Sequence, residues 1–326
     1  MLSNWFSKAG WTAKVSRSGN SSSRRLCVNI GHLSDEAVKY VADDFLQVCS
    51  DVVDASECDK NQHLNVQYYV ERFLRATELC VPDGSSNTEP NDLHFRFHRE
   101  LLAGDPTTIR SGVVRQGASD SRLLHVLAKG DGDAVCATAL GNPERVNDEV
   151  AITDLGIPDI AVPRNLPKTP YQPVDTAALV ASELALTTKT GLVSSDECDE
   201  AGGFRADYMV REFHDAAMLL WQFVGFDPGW FSKGGLGGVA AEMKLTQFRQ
   251  IGAGSNYEIV SWVPQMSKNV LHLANQLNDA ATGDPVARIC AASMIFDRKT
   301  RRPVEFPQSV QDGYAGRLRA FTEIDA

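Results

Sequence analysis

The feature that most constrains this chain of 326 residues is a repeat inside it. Glu57-Cys58-Asp59 recurs as Glu197-Cys198-Asp199, and 199 − 59 = 140 residues separate the two aspartates. At the same offset Tyr68 meets Tyr208, Val70 meets Val210 and Phe73 meets Phe213. Ala103-Gly104-Asp105 is echoed by Ala253-Gly254-Ser255, and Leu123-Leu124-His125-Val126 by Val270-Leu271-His272-Leu273. The offset thus grows to about 150, as loop insertions would make it. A repeat of this length reads as duplication of a whole domain, and the chain is long enough for two.

Periodicity shows what each copy holds. Val66, Tyr69, Val70, Phe73, Leu74 and Thr77 share one helical face, predicting a helix over 65–80 that ends near Pro82-Asp83-Gly84. A strand over 48–57 precedes it. Strand-like runs at 94–102, 107–116, 121–129 and 133–140 follow. The second copy repeats the order: a strand at 186–195, a helix at 205–224, and strands at 239–250, 256–265, 268–278 and 286–297. Six prolines between 141 and 185 predict a semi-rigid linker crossing the surface between the units. Residues 26–48 carry a helical pattern starting at Ser34, and 307–326 form a partly helical tail. The expected division is an N-terminal extension 1–44, a first unit 45–140, the linker 141–185, a second unit 186–305 and a tail 306–326. A sheet that wraps one helix leaves an edge that needs covering, and here the second copy can cover it.

The chemistry concentrates in Asp59-Lys60-Asn61-Gln62-His63-Leu64-Asn65, just before the first helix. Asn65 is a natural N-cap, and the helix start favours a developing negative charge. Asp59 can act as a base toward water or attack directly. Asn61 can orient the water or the carboxylate, and His63 can hydrogen-bond a carbonyl oxygen or hold the base. The bland alternatives are concrete: Asp59 and Asn61 as turn formers, and His63 as a satisfied interior histidine. His94 and His98 share a strand face but lack the further ligands a metal needs. Gly234 to Gly238 are not followed by the Lys-Ser/Thr helix of a phosphate cradle. His125, His272, Tyr68 and Tyr208 read as packing residues.

The string D-x-N-Q-H-x-N before a tyrosine-bearing helix resembles the hotdog-fold acyl thioesterases. It is most similar to the plant-type acyl-ACP enzymes, with D-x-N-Q-H-V-N-N. It is also similar to the 4-hydroxybenzoyl-CoA thioesterase group, with D-x-x-G-H-x-N-N. It departs from both at Val66, and from the second group at Gln62. The resemblance spans roughly 45–140 and 185–305. It implies an α+β fold of two tandem hotdog units, each a long helix wrapped by a curved antiparallel sheet, paired within one chain. It further implies hydrolysis of an acyl-CoA or acyl-ACP thioester to free acid and thiol, without metal or organic cofactor. Asp59, Asn61 and His63 would be catalytic, joined by Glu100 on the first meander strand. Asn65, Val66 and Arg205 would contact substrate. The second copy keeps Asp199 but has Ala201, Gly203, Arg205 and Gln250 in place of Asn61, His63, Asn65 and Glu100. One active site per chain, in the first unit, is therefore expected, with the second unit completing the acyl pocket. The alternatives are an acyl-thioester binding or regulatory module without turnover, and a hotdog hydratase or dehydratase, whose His and Asp placement is not found.

Composition bounds the setting. A net charge of −10 argues against general nucleic-acid binding, and mildly for a coenzyme A ester over an acidic carrier protein. No run approaches the ~18 apolar residues of a membrane span. Seven scattered cysteines without C-x-x-C fit a reducing compartment. A cytoplasmic location is expected. The alternative is organelle import, because residues 1–25 are Ser-rich and hold Lys8, Lys14, Arg17, Arg24 and Arg25 but no acid. A homodimer of double units is a candidate assembly.

Overall fold

A computed structural model describes residues 45–59, 62–81, 92–115, 121–130, 134–142, 146–153, 156–227, 229, 231 and 235–324. The helix expected from Ser34 lies outside these residues, except for its end: Leu46 already belongs to a strand. The first half runs β1 (Leu46–Val52), α1 (Val66–Cys80), β2 (Asp92–Phe97), β3 (Pro106–Arg115), β4 (Ser121–Lys129) and β5 (Ala134–Gly141). A two-residue strand β6 (Ile152–Thr153) and a short helix α2 (Thr176–Ala181) follow. The second half runs β7 (Ala185–Leu192), α3 (Ala206–Phe223), β8 (Leu236–Gln247), β9 (Asn256–Met266), β10 (Leu271–Asp279) and β11 (Pro285–Asp297). The chain closes with β12 (Arg302–Pro303) and α4 (Gln308–Ile324).

Ten of the strands form one antiparallel path, β1-β3-β4-β5-β2-β8-β11-β10-β9-β7. The second half of that order mirrors the first. At the centre β2 pairs with β8, and His94 lies directly opposite Lys244. These two are repeat equivalents, since 244 − 94 = 150, so a pseudo-twofold axis passes between them. The sheet edge each unit would leave open is closed by the other.

The register also corrects one repeat match. Ser111 faces His125 across β3 and β4, and Ser261 faces Asn275 across β9 and β10. The equivalent of His125 is Asn275 rather than His272. Similar hydrophobic spacing in two adjacent windows produced the sequence match, and only the pairing separates them. His125 is buried and neutral, its imidazole pushed down to about 3 by burial. Thr77 Oγ1 donates to Phe73 O at 2.9 Å. It therefore accepts from His125 Nε2 at 3.0 Å, and His125 Nδ1 accepts from Ser111 Oγ at 2.6 Å.

Both long helices bury the face their period predicted. Tyr69, Val70, Phe73, Ala76 and Cys80 of α1 are buried, as are Met209, Val210, Phe213, Ala216 and Leu220 of α3. Most join a single core with Phe95, Ile109, Leu245 and Ile289 from the sheet. Each large side chain buried there is worth about 1.5–3 kcal/mol. The helices also pack on each other.

The proline-rich stretch is more than a linker. Besides β6 and α2, it forms a strap held by charged side chains on the outer face of the central strands. Lys244 Nζ donates to the carbonyls of Pro167, Lys168 and Thr169 at 3.1, 3.2 and 2.7 Å and pairs with Asp92 at 3.1 Å. The Glu242 carboxylate accepts from the backbone N–H groups of Arg164, Asn165 and Leu166 and from His94 Nε2 at 2.8 Å. Burial alone pushes the Glu242 carboxyl up. The hydrogen bond and charge of His94, with the N–H groups of Asn165 and Leu166, hold it down at about 2 instead. α4 packs on β9, where Tyr314 Oη donates to Val263 O at 3.3 Å.

Candidate active site

The motif loop is built the same way in both units. After β1, Asp54 caps a 3-10 turn over Ala55–Glu57, and the Glu57 side chain accepts from Asp54 N at 2.8 Å. Glu197 does the same for Ser194 at 2.9 Å. This is the physical reason the Glu-Cys-Asp string repeats: its glutamate closes a capping box. Glu57 then pairs with Arg72 of α1 at 2.7 and 3.0 Å, fixing the turn to the helix.

The next turn is closed by the aspartate. Asp59 N donates to His63 O at 2.7 Å, Gln62 N donates to Asp59 O at 2.9 Å, and Asp59 Oδ1 accepts from His63 N at 3.0 Å. Asp199 makes the same three bonds with Gly202 and Gly203, at 2.8, 2.9 and 2.7 Å. The fourth residue of each turn is left-handed, Gln62 at φ +66 and Gly202 at φ +84. This explains why a related group has glycine here, and it places Gln62 in a conformation that L side chains resist. Asn65 is the N-cap as expected, its side-chain oxygen accepting from Gln67 N at 3.2 Å. Val66 is the first helical residue and half-buried.

The partner segment comes after β2. Glu100 is not on that strand, which ends at Phe97; it lies in an irregular stretch that leads to β3. Leu64 N donates to Leu101 O at 2.8 Å, and Leu101 N donates to Tyr69 Oη at 3.0 Å. These bonds lay the stretch alongside the motif loop and bring Glu100 Oε1 to 3.5 Å from His63 Nδ1, with the two side chains 22% and 26% exposed. The other oxygen of Glu100 pairs with Arg301 Nη2. Asp59, His63 and Glu100 are therefore gathered around one loop, while Asn61 lies outside the described residues.

The second unit shows what the same backbone looks like without this set. A Cβ on Gly203 would lie 2.8 Å from Gln250 Oε1 and 3.2 Å from Asp199 Oδ2, so Gln250 fills the space a side chain at 203 would need. Arg205 takes the N-cap position of α3 without capping it. It pairs with Asp207 at 3.0 Å and with Glu71 of α1 at 3.9 Å, and lies over the Tyr208 ring at 5.3 Å. One groove of about 170 Å³ runs along α1, lined by Asp51, Arg72, Arg75, Leu79 and Ile109 among others. All of its lining residues come from the first unit, and none is among the expected site residues.

Arg301 was missed by sequence reasoning. It sits in the basic string Arg298-Lys299-Thr300-Arg301-Arg302, which reads as a solvated turn. No local signal connects it to Glu100, 201 residues earlier.

Among the described residues no helix is long and apolar enough to cross a membrane. The architecture is a hotdog-like fold with a large antiparallel sheet. Residues 193–313 match the model of the Thioesterase-like superfamily. The 12:0-ACP thioesterase from Umbellularia californica is similar in structure, 13% identical, with a TM-score of 0.53 over 80% of this chain and 95% of that one. An acyl-ACP thioesterase from Bacteroides thetaiotaomicron VPI-5482 is 11% identical, with a TM-score of 0.50 over 80% of this chain and all of that one. At these identities the likeness shows the fold. A comparison with curated protein sequences finds no match. The resemblance to hotdog thioesterases drawn from Asp59 to Asn65 is borne out. The family model falls on the second unit, which lacks the polar set.

Proposed function

We propose that the chain is a tandem double-hotdog acyl thioesterase with one active site, in the first unit. The observation that carries this is the contrast between two loops closed by the same hydrogen bonds. One gathers Asp59, His63 and Glu100; the other holds Asp199, Gly203 and Gln250 on the same backbone.

The chemistry follows from these groups. Water adds to the thioester carbonyl carbon as Asp59 or His63 removes its proton. The carbonyl oxygen becomes an oxyanion, and a protonated His63 can donate to it. Collapse re-forms the carbonyl and breaks the carbon–sulfur bond, and the departing thiolate takes up the proton. A thiol leaves readily, so no strong acid is required. Attack by Asp59 itself, through an anhydride that water then opens, uses the same groups. Asn61 comes two residues after Asp59 in the sequence and would orient the water. Asn65 and Val66 line the entry to α1. Arg205 is a candidate for a substrate phosphate or carboxylate, in exchange for Glu71. The carrier is coenzyme A or acyl carrier protein, and the net charge of −10 favours the former.

A non-catalytic acyl-thioester sensor is the second reading. What favours it is that Asp59 already serves the turn in the way Asp199 does. The deciding experiment is thiol release from short, branched, aromatic and long acyl-CoAs and from acyl-ACP, with wild type and His63→Ala. Turnover that falls on the order of 100-fold in the variant supports the enzyme. Binding without turnover on every substrate leaves the sensor.

A further inference from the structure

We propose that Arg301, from the second unit, is a positioning residue for the site in the first. The proposal deepens the thioesterase reading and rests on it for its kinetic part.

Glu100 offers two oxygens. Oε1 faces His63 Nδ1 at 3.5 Å, and Oε2 is taken by the Arg301 guanidinium. The Glu100 side chain turns about three rotatable bonds on an irregular stretch of backbone. Anchoring one oxygen turns the other toward His63. A carboxylate facing Nδ1 favours the ring proton on that nitrogen electrostatically and leaves Nε2 as the nitrogen that accepts a proton from water. Arg301 thus acts through Glu100 on the tautomer of His63.

The chain holds this arginine in place against a backbone cost. Arg301 has φ +58, a left-handed conformation that disfavours a side chain. The turn that imposes it is closed by Asp297, whose Oδ1 accepts from Lys299 N at 2.9 Å and Thr300 N at 2.6 Å, while Arg301 N donates to Asp297 O at 2.7 Å. Glycine would satisfy that turn without strain, so the side chain has a use. Gln250 replaces Glu100, and among the described residues the β11–β12 hairpin that carries Arg301 is not repeated: the strand that follows β5 is β6, which pairs with β3. The ion pair belongs to one site, and the second unit is needed to complete it.

The test compares wild type with Arg301→Gly and Arg301→Lys. Arg301→Gly removes the side chain while relieving the backbone, so a retained cooperative melt shows that the fold is intact. Ring nitrogen NMR of His63 at a pH where it is neutral reports the tautomer directly. The expected result is an Nδ1–H form that dominates in wild type, falls at least about two-fold in Arg301→Gly and is partly restored in Arg301→Lys. On the best thioester, kcat of Arg301→Gly falls roughly 10-fold or more with KM little changed. An unchanged His63 tautomer across the three proteins overturns the proposal. The NMR arm stands even if no thioester is turned over, so failure of the thioesterase reading and failure of this one are distinguishable.

Discussion

Replacing Asp59 and Asp199 by asparagine, one at a time, separates the structural use of this residue from the catalytic one. Both carboxylates accept the N–H four residues on, at 3.0 Å in the first unit and 2.7 Å in the second. The amide oxygen of asparagine can accept the same bond. What is lost is the charge assistance, worth about 0.5–1.5 kcal/mol. The shorter bond at Asp199 makes its loss the larger or equal one. Stability, read from urea midpoints, should therefore fall slightly in both variants and no more for Asp59→Asn. Activity should split the other way. Asp59→Asn removes the carboxylate that attacks the carbonyl or supports His63 as the base, a loss on the order of 100-fold or more in kcat/KM, or about 2.7 kcal/mol of barrier. Asp199→Asn should stay within about three-fold of wild type, since a turn change of ~1 kcal/mol in the loop that lacks the His63 and Glu100 equivalents removes no group of the reaction. Equal losses of activity in the two variants, or full activity in Asp59→Asn, would refute the single-site argument.

Two further outcomes follow from the turn geometry and the buried imidazoles. Gln62→Gly should stabilise the protein by up to about 1 kcal/mol, because relief of the left-handed strain exceeds the extra freedom of glycine in the unfolded chain; a lower melting temperature would contradict it. His98, His125 and His272 are pushed down to about 3, 3 and 4 by burial, with nearby arginines adding to the effect at His98. Their folded values lie below the unfolded value of ~6.5, so the unfolded chain binds protons first as pH falls. Their contribution is intact above about pH 6.5 and is lost on the way down to about pH 3–4, by roughly 1.4 kcal/mol per imidazole per pH unit. Urea midpoints at pH 7 and pH 5 should differ clearly, and equal midpoints would count against buried neutral histidines.

Much of the fold was legible because burial imposes a period. The α1 face from Val66 to Thr77 and the strands after each helix follow from which residues must leave water. Strand ends were less legible. The run expected over 94–102 stops at Phe97, because the segment that follows bonds to the motif loop rather than continuing in the ladder. The proline-rich stretch was read as a spacer, since prolines report local conformation; its anchors, Glu242 and Lys244, lie some 75 residues further on. Of the candidate site residues, Asp59, His63 and Asn65 stand out in the sequence because loop chemistry and helix capping are local. Glu100 was suggested by resemblance and expected on a strand, whereas it lies in the irregular stretch after β2.

The sequence by itself determined the duplication, the identity of the helix and strand segments, and the asymmetry of the two loops, since composition and period need no partner to be read. Only the tertiary structure decided the register that makes Asn275 the equivalent of His125, the β2–β8 pairing that joins the units at His94 and Lys244, and the meeting of Arg301 with Glu100. Register depends on which strand lies opposite, and an ion pair between residues 201 positions apart depends on the whole sheet between them. Neither leaves a trace in the residues immediately around it.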